Sequence, residues 1–365
     1  MINREDQDAE EKTILDRLLV RGRRERLPLL GSVELTRRCP LACSHCYLGF
    51  DRNIPPEEEL TGEELSGLFD QFRAEGCLFL AFTGGEPLLR EDFRGIYLGA
   101  LRKGFLITVF TGGTLIDRAM ADFLGRYPPF HLDITILGAT GKTFERITGR
   151  PGSFQKSRKA IELLAEREIP FGLKTVVSSL NRGELEEMKR FARRYGQTLR
   201  FDSQICPRLD GGRDNLRYRL TPREAVRLDR EDREKWREWK DYVCRTGEFE
   251  DRGLLYGCGG GVTNFHVNSR GKLSLCVLDT NFSFDLRKGA FREAWREFIP
   301  RVRATRAGPD SPCRGCRLRS LCTTCPAWAR LETGDPAKPV NFLCQAAGIR
   351  ARFMHNEREK ALPQA

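Results

Sequence analysis

The stretch RRCPLACSHCY sets Cys39, Cys43 and Cys46 at CxxxCxxC spacing. Thiolates are soft ligands that suit zinc and iron–sulfur centres. Three of them are one short of a closed tetrahedral site. A [4Fe–4S] cluster takes four ligands, so three protein thiolates leave one iron open, as a catalytic metal requires. A zinc ion completed by a distant residue is the plainer use of the same loop. The chain has 13 cysteines and 4 histidines. An odd number of thiols with so few histidines favours cluster ligation over disulfides or mixed Cys/His zinc sites. Cys77, inside an apolar run, reads as a small buried hydrophobe.

The elements that must position the loop follow a β/α rhythm. SVELT reads as a strand, and Cys39 lies just past its end. TGEELSGLFDQFRAEG opens on Thr61 as a helix cap, with Glu64 completing a capping box. The strands CLFLAFT, FLITVFT, FHLDITI, PFGLKTVV and TLRFDSQI follow, with amphipathic helical stretches between them. Six such steps predict a parallel sheet with right-handed crossovers, curved into a partial barrel. The expected fold class is therefore α/β, a partial (β/α)6 TIM-like barrel with a small Cys-rich C-terminal domain. Sites on such sheets form at the carboxyl ends of the strands.

The expected organisation is a helical lead-in over 1–28 and a barrel over 29–206. A charged helical linker over 207–257, helical from Thr221, comes next. A Cys-rich domain over 258–345 and a C-terminal helix or tail over 346–365 complete the chain. The Cys-rich part is poor in periodicity, so metal staples are expected to hold it. The net charge of +11 is spread among interleaved Asp and Glu, as in DREDREKWREWK. No arginine-rich arm with aromatics appears, which argues against nucleic acid and leaves an acidic partner or a solvated basic face. No apolar run approaches the roughly 20 residues of a membrane helix, and the N-terminus lacks a signal-peptide core. A cytoplasmic enzyme that touches no membrane is expected.

CxxxCxxC after the first strand of a β/α barrel, with TGGEPL (Thr83–Leu88) ending the second strand, resembles the radical SAM superfamily. The resemblance spans about residues 31–205. It implies that the open iron of a catalytic [4Fe–4S] cluster on Cys39, Cys43 and Cys46 chelates S-adenosylmethionine. One electron to the sulfonium then gives methionine and a 5′-deoxyadenosyl radical, which abstracts hydrogen from an unactivated C–H bond. It further implies that Gly84, Gly85 and Glu86 cradle the methionyl amino group and that His45 packs on the adenine. Thr111 and Thr135 would contact the cofactor from the third and fourth strands, and Arg146 its carboxylate. Gly112 stands where the family often has Asn.

Cys258, Gly271, Cys276, Cys313, Cys316, Cys322, Cys325 and Cys344 resemble the SPASM extension of radical SAM peptide-modifying enzymes. The last internal spacing is two residues where the family usually has three. The resemblance implies two auxiliary [4Fe–4S] clusters. Cys313, Cys316, Cys322 and Cys344 would complete one; Cys258, Cys276 and Cys325 would hold the other. Its fourth ligand is left open between Cys244, Cys206 and none. A pair of zinc knuckles is the alternative.

The function this implies is hydrogen abstraction from a peptide or protein side chain during ribosomal peptide maturation. The expected partners are that substrate, a separate leader-peptide recognition protein, and an electron donor such as flavodoxin or ferredoxin. Too few residues precede the first strand for a fused leader-binding domain. The alternatives are a small-molecule enzyme of haem or quinone cofactor synthesis, a sulfatase-maturating type, and a non-catalytic iron–sulfur or zinc scaffold. Sulfatase-maturating enzymes place an acidic base directly after the second SPASM cysteine; here Val277 follows Cys276, and Asp279 is the weak candidate base.

Overall fold

A computed structural model describes residues 13–49, 54–246 and 253–361. The first half repeats one unit. Strands β1 (Leu30–Thr36), β2 (Phe79–Gly84), β3 (Leu106–Thr111), β4 (His131–Thr135), β5 (Phe171–Val176) and β6 (Leu199–Asp202) lie side by side in chain order, all parallel. Helices α1 (Ile14–Glu25) and α2 (Gly62–Ala74) precede β1 and β2. Both start on a capping box, Thr13 with Asp16 and Thr61 with Glu64. Further helices bridge the strands: α3 (Phe93–Arg102), α4 (Arg118–Arg126), α5 (Gly141–Thr148), α6 (Ser153–Ala165) and α7 (Leu185–Arg193).

One face of each strand supplies the core beneath the helices, with Val33, Phe82, Val109, Ile134 and Leu173 fully enclosed. The alternate residues turn to the barrel interior, which is unusually polar. There Glu34 pairs with Arg37 at 2.8 Å and faces His266 at 3.6 Å. Further round, Asp133 is held by Arg200 and by His131.

The sheet does not end with the barrel units. Strand β7 (Asn264–Val267) runs parallel to the outer edge of β1, and β8 (Lys272–Ser274) and β9 (Phe284–Asp285) follow antiparallel. The Cys-rich region thus shares the barrel's core. The Phe72, Phe265 and Phe291 rings meet with centroids 4.6–4.9 Å apart, and Trp295 packs beside them. The expectation that cluster staples alone would hold this region is corrected by that aromatic core. Strands of four, three and two residues are too short to show a period in sequence.

After β6 the chain forms α8 (Pro222–Glu231), capped by Thr221 as its sequence predicts, then α9 (Arg233–Thr246). Two helices close the chain, α10 (Pro326–Thr333) and α11 (Asn341–Ala361). Residues 1–12 of the expected lead-in, 247–252 of the linker and the last four of the tail lie outside the described residues. None of the described helices is long and apolar enough to cross a membrane.

Candidate active site

The cysteine loop leaves β1 at its carboxyl end and has no regular structure of its own, so each of its turns is tied from outside. Buried ion pairs fix its start. Arg37 binds Glu34, and Arg38 reaches the buried Glu59 at 3.1 Å. Glu59 also accepts the Thr36 hydroxyl at 2.5 Å. The end of α5 fixes its middle: Ala42 N–H donates to Thr148 O at 2.7 Å and Ser44 N–H to Ile147 O at 2.9 Å. These bonds use helix-terminal carbonyls that would otherwise lack partners. Leu209 N–H closes the far side on Tyr47 O at 2.7 Å.

Beside the loop, the β2 turn makes a second backbone layer. Gly85 N–H donates to Thr36 O at 2.8 Å and Glu86 N–H to Arg38 O at 3.0 Å. A Cβ on Gly84 would stand 2.1 Å from Thr36 O, and one on Gly85 2.3 Å from Arg38 O. Gly84 also holds φ at +118°, a conformation reserved for glycine. The two glycines therefore do work the sequence reading did not assign: they let this turn lie flat on the root of the cysteine loop. Glu86 then ties β2 to β3. Its buried carboxylate accepts the Thr111 hydroxyl, Gly112 N–H at 2.9 Å and Leu88 N–H at 3.2 Å. Burial pushes its pKa up and these three donors oppose the shift.

All of these parts surround one cavity of about 260 Å³, half open at the carboxyl ends of the strands. Cys39, Cys43, Cys46, His45, Gly84, Gly85, Glu86, Thr111, Gly112 and Thr135 line it. The His45 Nδ1 has no hydrogen-bond partner, and burial lowers the ring's pKa to about 4. Arg146 does not line the cavity; its guanidinium donates to Leu180 O at 2.9 Å.

The sequence reading missed Lys174. It sits on β5 opposite Thr135 and lines the cavity. Its ammonium lies 3.6 Å from the centre of the Phe110 ring. The nearby Asp133 is engaged by Arg200 and His131, and no carboxylate lies within ion-pair distance of Lys174 among the described residues. Burial lowers its pKa to about 8, against the pull of Asp133. A lysine amid the apolar residues of PFGLKTVV was the available signal.

The remaining cysteines form two sets outside the cavity. Cys276 follows β8, and Cys325 caps α10, its sulfur accepting Trp328 N–H at 3.4 Å. Burial pushes Cys276 up to about 12, with Cys325 and Asp279 adding to the shift. Cys258 and Asp279 likewise raise Cys325. In the second set burial pushes Cys322 up to about 12, with Cys344, Cys313 and Cys316 adding to it. Cys206 is half-buried, close enough to Cys325 to feel its charge; the Cys244 side chain lies outside the described residues. Cys77 is buried. No described cysteine is in a disulfide, and no three His, Cys, Asp or Glu side chains among the described residues form a single-ion site. Three cavity-lining thiols and two outlying thiol sets are donor sets that fit iron–sulfur clusters.

Residues 33–192 match the Radical SAM superfamily. An "AdoMet-dependent heme synthase" of Methanosarcina barkeri is 27% identical, across 84% of this chain and 94% of that one. A "PqqA peptide cyclase" of Rhizobium meliloti is 32% identical, but over 45% of this chain and 44% of that one. The fold is shared with SuiB of Streptococcus suis bound to its precursor peptide SuiA, at a TM-score of 0.68 and 16% identity, over 94% of this chain and 82% of that one. Residues 33–192 of this chain are thus a radical SAM domain, and the C-terminal region that follows it carries a cysteine pattern similar to a SPASM extension.

Proposed function

We propose that the enzyme cleaves S-adenosylmethionine in this cavity and abstracts hydrogen from a peptide or protein side chain. The observation that carries the peptide reading is the shape of the site: the cavity is half open at the strand ends, so an extended segment reaches it without the whole substrate entering. The likeness of the barrel to a peptide cyclase supports it.

Cys39, Cys43 and Cys46 would hold the catalytic [4Fe–4S] cluster. When bound and reduced by an external donor, such a cluster would supply the electron for reductive cleavage of S-adenosylmethionine. The chain's own residues do the positioning. The ion pairs of Arg37 and Arg38 fix the loop, and the backbone of Gly84–Glu86 forms the wall beside it. The neutral His45 ring offers a face to the adenine, and the Thr111 and Thr135 side chains complete the lining. The apolar walls Leu41, Phe110, Leu137 and Phe144 keep water from the reacting centre.

A second reading has its own observation. The heme synthase match runs nearly end to end, which favours a small-molecule substrate of haem synthesis. Anaerobic incubation of reduced enzyme with S-adenosylmethionine and, in separate arms, candidate peptides, a CxPxR peptide and iron coproporphyrin III separates the two. Mass spectrometry follows deoxyadenosine and substrate mass together. A candidate peptide is expected to change mass while the CxPxR peptide does not. Turnover of the porphyrin alone would transfer the assignment to the second reading.

Lys174, rather than Arg146, is placed to receive a carboxylate in the cavity. A hydrogen bond to a charged group contributes about 1.5–3 kcal/mol, so Lys174→Met should weaken the ligand it serves by at least about tenfold. Equilibrium binding of S-adenosylmethionine and its decarboxylated analogue tells whose carboxylate that is. Loss confined to the carboxylated form assigns it to the cofactor; loss confined to the substrate assigns it there. The wild-type affinity should fall as pH rises through about 8, where the lysine of the unliganded enzyme loses its charge. Lys174→Arg should remove that fall. Unchanged affinities in Lys174→Met would refute the role.

A further inference from the structure

Asp279 is 2% exposed, and neither carboxylate oxygen makes a hydrogen bond of normal geometry. Its nearest donors are the Tyr256 hydroxyl and the Asn281 and Phe282 amides, and the nearest cation is Arg330. A buried carboxylate left in that state is strongly disfavoured unless something compensates it. Its surroundings name the compensation. Asp279 N–H bonds Cys276 O at 3.1 Å, so carboxylate and thiol project from one turn. Cys276 and Cys325 both sense its charge, and Cys325 also senses Cys258. Asp279 does not line the cavity, which removes it from proton transfer to a substrate bound there.

We infer that Asp279 supplies, through one carboxylate oxygen, the fourth ligand of a [4Fe–4S] cluster held by Cys258, Cys276 and Cys325. This rests on the iron–sulfur reading of that cysteine set. Cys206 is the rival donor, since its half-buried thiol lies near Cys325. Burial separates the two. An unligated thiol is a small hydrophobe that sits in a core at little cost. An unligated carboxylate is not, and both Asp279 oxygens are buried without a partner. Cys276 would then anchor one iron while the same turn returns Asp279 to another, closing the site within four residues of chain.

The test uses the full chain with Cys39, Cys43 and Cys46 replaced by Ala, which removes the one site designed to have an open iron. After anaerobic reconstitution with iron and sulfide, this parent should hold about eight irons, about four for each of two clusters. Markedly less iron would overturn the cluster reading itself, before the ligand question arises. The reduced protein is then examined by electron paramagnetic resonance with and without cyanide, a ligand for exposed iron. The parent spectrum should be unchanged by cyanide. Asp279→Ala should either become cyanide-sensitive or lose about four irons, and Asp279→Cys should restore both iron and cyanide resistance. The inference fails if the parent is already cyanide-sensitive, if Asp279→Ala behaves as the parent, or if Asp279→Cys does not restore the cluster. Sensitivity appearing in Cys206→Ala and not in Asp279→Ala would give the position to Cys206.

Discussion

Replacing Cys39, Cys43 and Cys46 together by Ala is expected to bring deoxyadenosine formation from S-adenosylmethionine to background. The physical ground is that, among the described residues, these three thiols are the only cysteines lining the cavity. The loop that presents them spends its backbone bonds on being held in place, through Thr148, Ile147 and the carbonyl of Tyr47. Those ties do not involve the sulfurs, so the loop should keep its course in the variant. The C-terminal thiols lie outside the cavity and should still take up iron. The measurement is deoxyadenosine by mass spectrometry beside iron per chain, wild type against variant, both reduced anaerobically. Deoxyadenosine at the wild-type rate from the variant would remove the catalytic assignment of this loop. Iron lost from the whole chain would mean that the loop and the C-terminal sets are not independent.

Gly85→Ala should cost nearly as much, although it removes no ligand. The added methyl would lie 2.3 Å from Arg38 O and 2.4 Å from Arg37 O, and neither oxygen can yield alone. Arg37 is pinned by Glu34 and Arg38 by Glu59. Relief therefore means moving the β2 turn away from the loop root, breaking the Gly85–Thr36 and Glu86–Arg38 bonds. Overpacking of this kind costs about 1–3 kcal/mol of stability, and a misplacement of about 1 Å in a catalytic constellation costs roughly a hundredfold in rate. The expected result is a folded protein with a lowered melting temperature and about a hundredfold less deoxyadenosine. Wild-type rates in Gly85→Ala would show that the turn does not set the loop.

The barrel was legible because its units are long and repeat. Thr61 with Glu64 and Thr221 with Glu224 announce helix starts, and both capping boxes form. Residues from the ends of three strands and the loop could be assigned to one cavity, because strand ends in a parallel sheet converge. What escaped depends on geometry that spacing does not encode. Arg146 belongs to a short helix, α5, that buries Thr143, Phe144, Ile147 and Thr148, and its side chain turns to Leu180. Lys174 looked like part of a strand, and only the pairing with Thr135 aims it into the cavity. The role of Gly84 and Gly85 against Thr36–Arg38 could not be read from GG, which serves many turns. Asp279 was weighed as a base because it follows Cys276 closely; its enclosure away from the cavity is a tertiary fact.

The parallel pairing of β7 with β1 also fixes an order of events during synthesis. His266 bonds Ser32 at 3.2 Å across 234 residues, and the Leu30–Val33 edge has no other strand partner on that side. A ribosome that has released β1 through β6 has therefore made a sheet whose first strand shows a bare edge, and the cysteine loop hangs from that strand. Bare edges of this kind recruit foreign strands and invite aggregation. Truncation before Val267 leaves that edge of β1 bare and should yield insoluble protein rather than a minimal enzyme.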